Sequence, residues 1–262
     1  MTEKSIWSFF TKTSSIRCIN LLSRRDRYNQ SLAIFKKYNI PVTYYHTERH
    51  PNGGLQGCYE SHIACIRESY DKGDTMCFIF EDDVINSGFI KNTKLIKQAI
   101  TFLQKCKTWD IFYFGTCPDT RTTKIEYVTN SILKMSSLCT HAYVIHRRYM
   151  KQILNTQFVG IPIDYIYKYN KNSYAIYPSI FYQSTSASDI SGDLWNKIPF
   201  KHQFFRLNEI YAKYLNKPLN KVSSILSFGF VLLLILYIVK PKKSTFWLII
   251  VLVFILILII QT

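Results

Sequence analysis

The chain has 262 residues and a formal net charge of +16 at pH 7. The strongly apolar stretch from residue 222 onward contributes three lysines and no acidic residue, so residues 1–221 carry +13. Such an excess of positive charge favours an anionic partner. The candidates are an acidic membrane surface, a phosphorylated ligand and nucleic acid. Nucleic acid is the weakest of these, because the basic residues are scattered and no nucleic-acid-binding motif occurs. A role of the charge in solubility and in proximity to anionic lipid stays equally open.

The seven cysteines form no CxxC pair and no His-spaced zinc pattern, so the spacing does not predict a thiolate metal site. Their odd number and apolar surroundings, as at Cys18 and Cys77, predict reduced core residues in a cytosolic compartment. The N-terminus contains only a broken apolar run, Ile6 to Phe10, which is not typical of a secretory signal.

Short β-rich runs alternate with longer helical patterns over the first 180 residues, which is typical of a layered α/β sheet. The patterns predict strands at Ile16–Leu21, Val42–Tyr45, Met76–Phe80, Asp110–Phe114, Thr140–Ile145 and Tyr174–Tyr177. They predict helices at Arg24–Tyr38, Gly57–Tyr70, Asn92–Cys106 and Arg147–Leu154. One folded domain is therefore expected over residues 1–215.

The remaining tail contains two apolar runs, Ile225–Val239 and Phe246–Ile260, on either side of a basic segment, Lys240–Thr245. A run of this length reaches only about 22 Å as a helix, against a hydrocarbon core of ~30 Å. Flanking residues and snorkelling lysines make up most of the difference. The tail is therefore expected to anchor the chain in a membrane as a helical hairpin, with helices at 222–239 and 245–261; a monotopic or re-entrant anchor is the alternative.

The orientation of this anchor is expected to leave both the folded domain and Thr262 on the cytosolic side. The N-terminus does not have the pattern of a secretory signal peptide, which favours a cytosolic domain. Residues 201–221 carry five basic residues, against three in the connecting segment, so the positive-inside bias agrees only slightly.

Three carboxylates, Glu81, Asp82 and Asp83, follow the predicted buried strand Met76–Phe80 directly. Open α/β folds bind ligands at the carboxyl ends of their strands, and carboxylate oxygens suit hard Mg²⁺ or Mn²⁺. If the strand geometry persists, Glu81 and Asp83 share one metal face while Asp82 turns aside. Taken alone, the triplet also fits a solvated turn or a metal-dependent hydrolase.

The motifs around the triplet are more specific. Residues 19–27 are INLLSRRDR, residues 57–62 are GCYESH, and FIFEDDV follows. Further matches are WDIFYFG at 109–115, THAYVI at 140–145, PIDYIY at 162–167, Tyr177–Pro178, Ser188–Ile190 and Trp195–Asn196. In this order and spacing the motifs resemble glycosyltransferase family 25, the family of bacterial lipooligosaccharide galactosyltransferases and collagen hydroxylysine galactosyltransferases. The resemblance covers residues 16–196.

The resemblance implies a GT-A type fold, a UDP-sugar donor, usually UDP-galactose, and a divalent metal, usually Mn²⁺ with Mg²⁺ possible. It places three residues beside the nucleotide: Asn20, Arg24 and Arg27. It places the acidic triplet at the metal and ribose site. A guanidinium pairs well with phosphate oxygens, although without the other motifs the arginines would be assigned to a solvated first helical turn. The resemblance also suggests inversion at the transferred sugar.

Five further polar residues in these motifs are candidates. Ser61 could cap the second helix, and His62 either faces the cleft and contacts the donor or is structural. Asp110 either shapes the donor pocket or only fixes a turn. Asp164 has an aromatic setting that would raise its pKa and make it a general base, or it is a helix N-terminal aspartate. Asp189 either completes the metal site or binds the acceptor.

The sequence thus predicts an α/β fold: a GT-A-like nucleotide-diphospho-sugar transferase domain plus a C-terminal hydrophobic helical hairpin. The expected reaction transfers a hexose, with galactose first, from a UDP-sugar to a glycan, lipid-linked saccharide or hydroxylysine acceptor. The alternative is a catalytically inactive, membrane-anchored nucleotide-sugar or glycan binding module, against which the intact EDD argues. A metal-dependent nuclease, the third hypothesis, lacks a second carboxylate motif. The collagen-modifying relatives are targeted to a lumen and have a larger architecture. Their acceptor is therefore not assigned to this chain.

Overall fold

The computed structural model describes residues 6–117 and 125–184, so the predicted anchor and Asp189 lie outside the described residues. The helices are α1 (Ser8–Thr13), α2 (Arg25–Lys37), α3 (Gly54–Asp71), α4 (Thr93–Lys105), α5 (Arg147–Ile153) and α6 (Ile163–Lys168), with a 3₁₀ turn at Phe89–Lys91. The strands are β1 (Ser14–Leu21), β2 (Thr43–Thr47), β3 (Met76–Glu81), β4 (Val84–Asn86), β5 (Ile111–Tyr113), β6 (Glu126–Thr129), β7 (Ile132–Lys134), β8 (Ala142–His146), β9 (Ser173–Ile176) and β10 (Phe181–Gln183). In this part of the chain, no helix combines the length and the hydropathy that a membrane crossing requires.

Eight strands form one mixed sheet in the order β2-β1-β3-β8-β5-β9-β7-β6, and β10 pairs with β4 in a separate ribbon. Strand β1 runs parallel to β2 and β3, and β5 runs parallel to β9. Strand β8 runs antiparallel to both of its neighbours, β3 and β5. The predicted α/β class is confirmed, and β1, β3 and β5 all point in the same direction.

Helices cover both faces of the sheet. The side chains of β3 show this division, because Phe78 and Phe80 pack with α1, α2 and α4, whereas Cys77 and Ile79 pack with α3, α5 and α6. A strand that is buried on both faces has a continuous apolar sequence, which explains the MCFIF run. The strand therefore leaves the core only at its carboxyl end, where the acidic residues begin.

The broken apolar run at the N-terminus proves to be a core element. Trp7 and Phe10 are almost completely buried, and α1 carries Phe10 into edge-to-face contact with Phe78 and Phe114, at ring-centroid distances of 5.1 and 5.7 Å. Sequence inspection did not predict this six-residue helix. It is too short to show helical periodicity, so burial of its aromatic rings rather than its own pattern explains it.

Gly115, at the end of the WDIFYFG motif, is required by a close approach of neighbouring chain segments. A Cβ at this position would lie 2.0 Å from His141 Nε2 and 2.6 Å from the carbonyl oxygen of Phe181. Because no side chain fits there, the segment after β5 packs directly against the segments that enter β8 and β10. This packing brings β10 alongside the acidic residues.

The expectation that all cysteines are reduced is wrong for two of them. Cys117 and Cys139 form a disulfide with a Cα–Cα distance of 5.4 Å. They are 22 residues apart in sequence, but they flank the adjacent strands β5 and β8, so the sheet brings them together. The other five cysteines are free.

Candidate active site

The acidic residues lie at the carboxyl edge of the sheet, beside an open pocket with a cavity volume of about 110 Å³. Strand β1 ends at the same edge because it pairs in parallel with β3, with Ile19 opposite Glu81. The residues lining the pocket come from the ends of β1, β2, β3 and β10, from α2 and from the first half of α3: Ile19, Leu21, Arg27, Thr47, Glu48, Arg49, His50, Gly54, Gly57, Cys58, Ser61, His62, Glu81, Asp82, Asp83 and Gln183. Three of the sequence motifs therefore meet in one cleft.

Asp82 is held by the first motif. Asn20 Nδ2 donates to Asp82 Oδ2 over 2.6 Å, and Arg27 Nη1 lies 3.3 Å from Asp82 Oδ1. Asn20 Oδ1 in turn lies 3.1 Å from His46 Nδ1 on β2. Asn20 thus positions a carboxylate rather than lining the pocket itself, whereas Arg27 does both.

Arg24 lies outside this arrangement. Its guanidinium pairs with the exposed carboxylate of Asp26 over 2.9 Å, one turn before Arg27. This pair lowers the pKa of Asp26 to about 2, mainly through the hydrogen bond from Arg24. Of the two arginines predicted beside a nucleotide, only Arg27 lines the pocket.

Asp83 has one carboxylate oxygen that is occupied and one that is not. Gln183 Nε2 donates to Oδ2 over 3.1 Å, and Arg27 Nη1 lies 3.5 Å from the same oxygen. Oδ1 is buried and has no hydrogen-bond partner among the described residues. Burial, followed by repulsion from the charge of Glu81, raises the pKa of Asp83 to about 7. A buried carboxylate oxygen without a partner is costly, so the site suits a cation.

Glu81 faces a different set of partners. Thr140 Oγ1 donates to Glu81 Oε1 over 2.6 Å, and His62 Nε2 lies 3.3 Å from the same oxygen. Burial alone would raise the pKa of Glu81, but the hydrogen bond and the charge interaction with His62 outweigh it and leave the pKa below its ordinary value. The pKa of Glu81 is therefore lowered, whereas that of Asp83 is raised.

The predicted alternation along the triplet is wrong, because the strand ends at Glu81 and the next two residues form a turn before β4. Asp82 and Asp83 consequently share the Arg27 guanidinium, while Glu81 contacts α3. The backbone N–H of Ser184 donates to the carbonyl oxygen of Asp83 over 2.7 Å and holds this turn against β10. The three carboxylates still converge on one pocket.

His62 is a buried member of a hydrogen-bonded chain. Its Nδ1 lies 2.9 Å from the hydroxyl of Tyr143, which lies 3.2 Å from the hydroxyl of Tyr167 on α6. The predicted cap by Ser61 is wrong, because α3 already begins at Gly54 and the Ser61 hydroxyl donates to the carbonyl oxygen of Gly57 inside the helix. His62 and Ser61 nevertheless both line the pocket, and His62 is at the same time held by structural hydrogen bonds.

Asp164 combines both features that its sequence suggested. It lies in the first turn of α6, where its Oδ1 accepts a hydrogen bond from the backbone N–H of Tyr165 over 2.9 Å. Partial burial, followed by the negative charge of Glu81, raises its pKa to about 7. Asp164 is therefore close enough to Glu81 to be influenced by its charge, although it does not line the pocket.

Asp110 is not part of this site, and its predicted place beside the donor is wrong. It precedes β5, which runs in the same direction as β3, so it lies at the opposite edge of the sheet from Glu81. Its carboxylate accepts hydrogen bonds from Arg148 Nη2 at 2.6 Å and Asn172 Nδ2 at 3.0 Å. This is a structural contact that fixes the start of β5 against α5 and β9.

Sequence inspection missed several residues of the site. Gln183, Thr140 and Tyr143 contact the predicted residues directly, and Arg49 and His50 line the pocket. Arg49 and His50 immediately precede the Gly-rich loop at residues 51–54, which was the available signal for them. Nothing local marked Gln183, whose role depends on the pairing of β10 with β4.

In an open α/β fold, carboxylates at the carboxyl end of a central strand lie at the edge of the sheet where ligands bind. Residues 23–167 match the family described as glycosyltransferase family 25 (LPS biosynthesis protein), and the chain belongs to this family. The resemblance inferred from the motifs is therefore confirmed.

Other comparisons are more distant. No curated protein matches the chain. The chain is similar to the crystal structure of A197 from STIV, with a TM-score of 0.40 and 12% identity over 72% of this chain and 99% of that one. It is also similar to mannose-1-phosphate geranyltransferase from Thermus thermophilus, with a TM-score of 0.41 and 9% identity over 63% of this chain and 73% of that one.

Proposed function

We propose that this family member is a metal-dependent hexosyltransferase that transfers galactose from UDP-galactose to a glycan, a lipid-linked saccharide or hydroxylysine. The observation that carries the proposal is Asp83 Oδ1, a buried carboxylate oxygen without a partner among the described residues, in a pocket that Glu81 and Asp82 also line. Family membership supports the transferase, whereas the metal, the donor and the acceptor are proposed from the site.

The chemistry of the donor set favours a hard divalent cation, Mn²⁺ or Mg²⁺. Asp83 and Glu81 are the proposed ligands, with Asp189 as a third from outside the described residues. A cation there would give Asp83 Oδ1 a partner and offset the repulsion that raises the pKa of Asp83. When bound, the metal supplies positive charge that stabilises the leaving diphosphate.

The remaining donor contacts follow from the pocket lining. Arg27 has its guanidinium at the pocket wall and is the proposed partner of a diphosphate oxygen. Asp82, oriented by Asn20, is proposed to accept a hydrogen bond from a ribose hydroxyl. Ser61 and His62 line the pocket from α3 and are proposed to contact the sugar.

Asp164 is proposed to act as the general base for the acceptor. With a pKa of about 7 it is half deprotonated near neutral pH, which suits transfer of a proton from a hydroxyl. The acceptor oxygen would form its bond to the anomeric carbon as the bond to the diphosphate breaks, and the hydroxyl proton would pass to the Asp164 carboxylate. One base and one attacking hydroxyl account for inversion.

The proposal predicts donor-specific and metal-dependent turnover. Full-length protein in detergent, incubated with Mn²⁺ and a panel of nucleotide sugars, should release free UDP from UDP-galactose faster than free nucleotide from any other donor. Release should stop when the metal is chelated and return when Mn²⁺ is restored. Equal release from all donors, or release that survives chelation, would contradict the proposal.

The same assay distinguishes the proposed transferase from a second candidate function, that of an inactive nucleotide-sugar or glycan binding module. That candidate is favoured by the Arg27 guanidinium, which already lies 3.3 Å from Asp82 and 3.5 Å from Asp83 and neutralises part of the acidic cluster. An inactive module would bind UDP-galactose in equilibrium titration without releasing UDP. Activity with donor-specific turnover would exclude it.

We also propose that the apolar tail anchors the protein in a membrane as a hairpin, with the catalytic domain on the cytosolic side. The apolar composition of residues 222–262 supports the anchor. The five basic residues in 201–221, against three in the connecting segment, support the cytosolic orientation. Protease added to sealed vesicles should digest the domain, while a tag in the segment Lys240–Thr245 stays protected. Protection of the domain would reverse the orientation, and digestion of both would indicate an anchor that does not cross.

A further inference from the structure

Cys58, His62 and Glu81 form a second group of potential ligands on the wall of the pocket. One ligand atom from each residue lies within 4.8 Å of the other two. Cys58 and His62 are four residues apart on α3, so their side chains project from the same face of the helix towards the end of β3. Sequence spacing did not indicate this group, because its third member comes from a strand.

The surroundings of His62 resemble those of a metal-binding histidine. Its Nδ1 is hydrogen-bonded to the Tyr143 hydroxyl, and its Nε2 points at Glu81. A hydroxyl can donate or accept, so Tyr143 can accept from a protonated Nδ1 when Nε2 is occupied by a metal. Hydrogen bonds of this kind orient the imidazole in metal sites. Thr140 orients the Glu81 carboxylate in the same way.

We propose that Cys58, His62 and Glu81 bind Zn²⁺, or a transition metal of similar preference, with the fourth coordination position open to the pocket. Sulfur, nitrogen and oxygen ligands together suit Zn²⁺ better than Mn²⁺ or Mg²⁺. All three residues line the pocket, which leaves room for a water molecule or a ligand in the fourth position. This site shares Glu81 with the oxygen-only site proposed at Asp83, but takes its other ligands, a sulfur and a nitrogen, from α3.

The geometry requires little movement. In a tetrahedral zinc site with ordinary bond lengths the ligand atoms lie roughly 3.3–3.6 Å apart. Because the three atoms here already lie within 4.8 Å of one another, side-chain adjustments of about 1 Å close the site. Cys58 is half-buried and its sulfur makes no hydrogen bond within residues 6–117 and 125–184, so nothing there competes for it.

The electrostatic setting also favours a cation. The Cys58 sulfur lies near the carboxylates of Glu81 and Asp164. A dication at this position would offset their negative charge.

Occupancy of this site has a consequence that rests on the proposed function. Glu81 is also a proposed ligand of the activating metal, so Zn²⁺ would withdraw that carboxylate and inhibit transfer. Cys58 has no part in the proposed donor or acceptor contacts. The Cys58→Ser variant should therefore resist inhibition by Zn²⁺, measured as the ratio of its own transfer rates with and without Zn²⁺.

Cobalt substitution tests the site without any assay of transfer. Full-length protein titrated with Co²⁺ should develop a thiolate-to-cobalt charge-transfer band that saturates at one equivalent and disappears when Zn²⁺ is added. Cys58→Ser should lose the band and weaken Zn²⁺ binding by at least about a hundredfold, because loss of an outer-shell partner alone can cost that much. Competition with a chromogenic chelator measures the affinity. Cys106→Ser, at another half-buried free cysteine, is the matched control and should keep both.

A band that persists in Cys58→Ser, or wild-type protein that shows no band at equimolar Co²⁺, would overturn the proposal. Circular dichroism of each variant checks that it is folded, and Cys58→Ala provides a second variant if serine perturbs the helix. The proposed zinc site and the proposed transferase function can be contradicted independently of each other. Loss of the cobalt band in Cys58→Ser supports the zinc site even if no donor is turned over.

Discussion

Replacing Asp83 by Asn should lower the rate of sugar transfer by on the order of a thousandfold, because a proposed metal ligand is lost and with it several kcal/mol of stabilisation of the leaving diphosphate. The side chain keeps its size, so the fold should be retained. The rate should be measured with saturating UDP-galactose and Mn²⁺, and Asp83→Ala should behave in the same way. Asp71→Asn, at an exposed carboxylate on α3, is the matched control and should transfer at the wild-type rate.

The same substitution should stabilise the metal-free protein at alkaline pH. The pKa of Asp83 is raised from its ordinary value of 3.8 to about 7, so the folded protein binds this proton more tightly than the unfolded chain. The contribution of this carboxyl to stability is therefore fully present below pH 3.8 and is lost as the pH rises towards 7. An Asn side chain does not ionise and escapes this loss.

The free energy of unfolding in the presence of a chelator should consequently be higher for Asp83→Asn than for the wild type at pH 8, with a smaller difference at pH 4. Saturating Mn²⁺ should reverse the order, because only the wild type gains the full binding energy. A variant that transfers sugar at a near-normal rate, or that is less stable than the wild type at pH 8 without metal, would contradict the assignment of Asp83.

Replacing Asp164 by Asn should reduce kcat by roughly 10²- to 10⁴-fold, the usual contribution of a general base. Donor affinity should change little, because Asp164 does not line the pocket. Steady-state rates and equilibrium binding of UDP-galactose together separate these two effects. The raised pKa of about 7 makes Asp164 suitable for this role.

The pH dependence gives a second, independent signature. The wild-type kcat/KM should rise with pH as Asp164 loses its proton, because the base is active only when it is deprotonated. Saturating Mn²⁺ keeps Asp83 ionised, and because it also offsets the charge of Glu81, the midpoint of this limb should lie below 7. The limb should be absent in Asp164→Asn and unchanged in the control Asp71→Asn. Weakened donor binding with a normal kcat would instead make Asp164 a binding residue.

Much of the site was predictable because its chemistry is concentrated in short motifs. The MCFIF run predicts a buried strand, and three carboxylates directly after it predict a polar edge where ligands bind. The order of the INLLSRRDR, GCYESH and FIFEDDV motifs indicated family 25, which the family match confirmed. Long helices were also predictable: α2, α3 and α4 lie within a few residues of the predicted ranges, because each shows helical periodicity over three turns or more.

The partners of each carboxylate were not predictable. The strand ends at Glu81 rather than continuing, so the turn at Asp82 and Asp83 directs both side chains towards Arg27 and leaves Glu81 to His62. Asp110 looked equivalent to the other motif residues, but the direction of β5 places it at the opposite sheet edge. Such outcomes depend on strand order and direction, which local patterns do not encode.

The sequence alone therefore determined the class of fold, its longer elements, the family and the acidic character of the site, since each of these depends on residues that are close together in the chain. Only the tertiary structure determined that β10 brings Gln183 to Asp83 and that β5 and β8 bring Cys117 to Cys139. It also determined that Cys58 on α3 lies close to Glu81 at the end of β3. The physical reason is that these contacts join segments that only the pairing of the strands and the packing of the helices bring together.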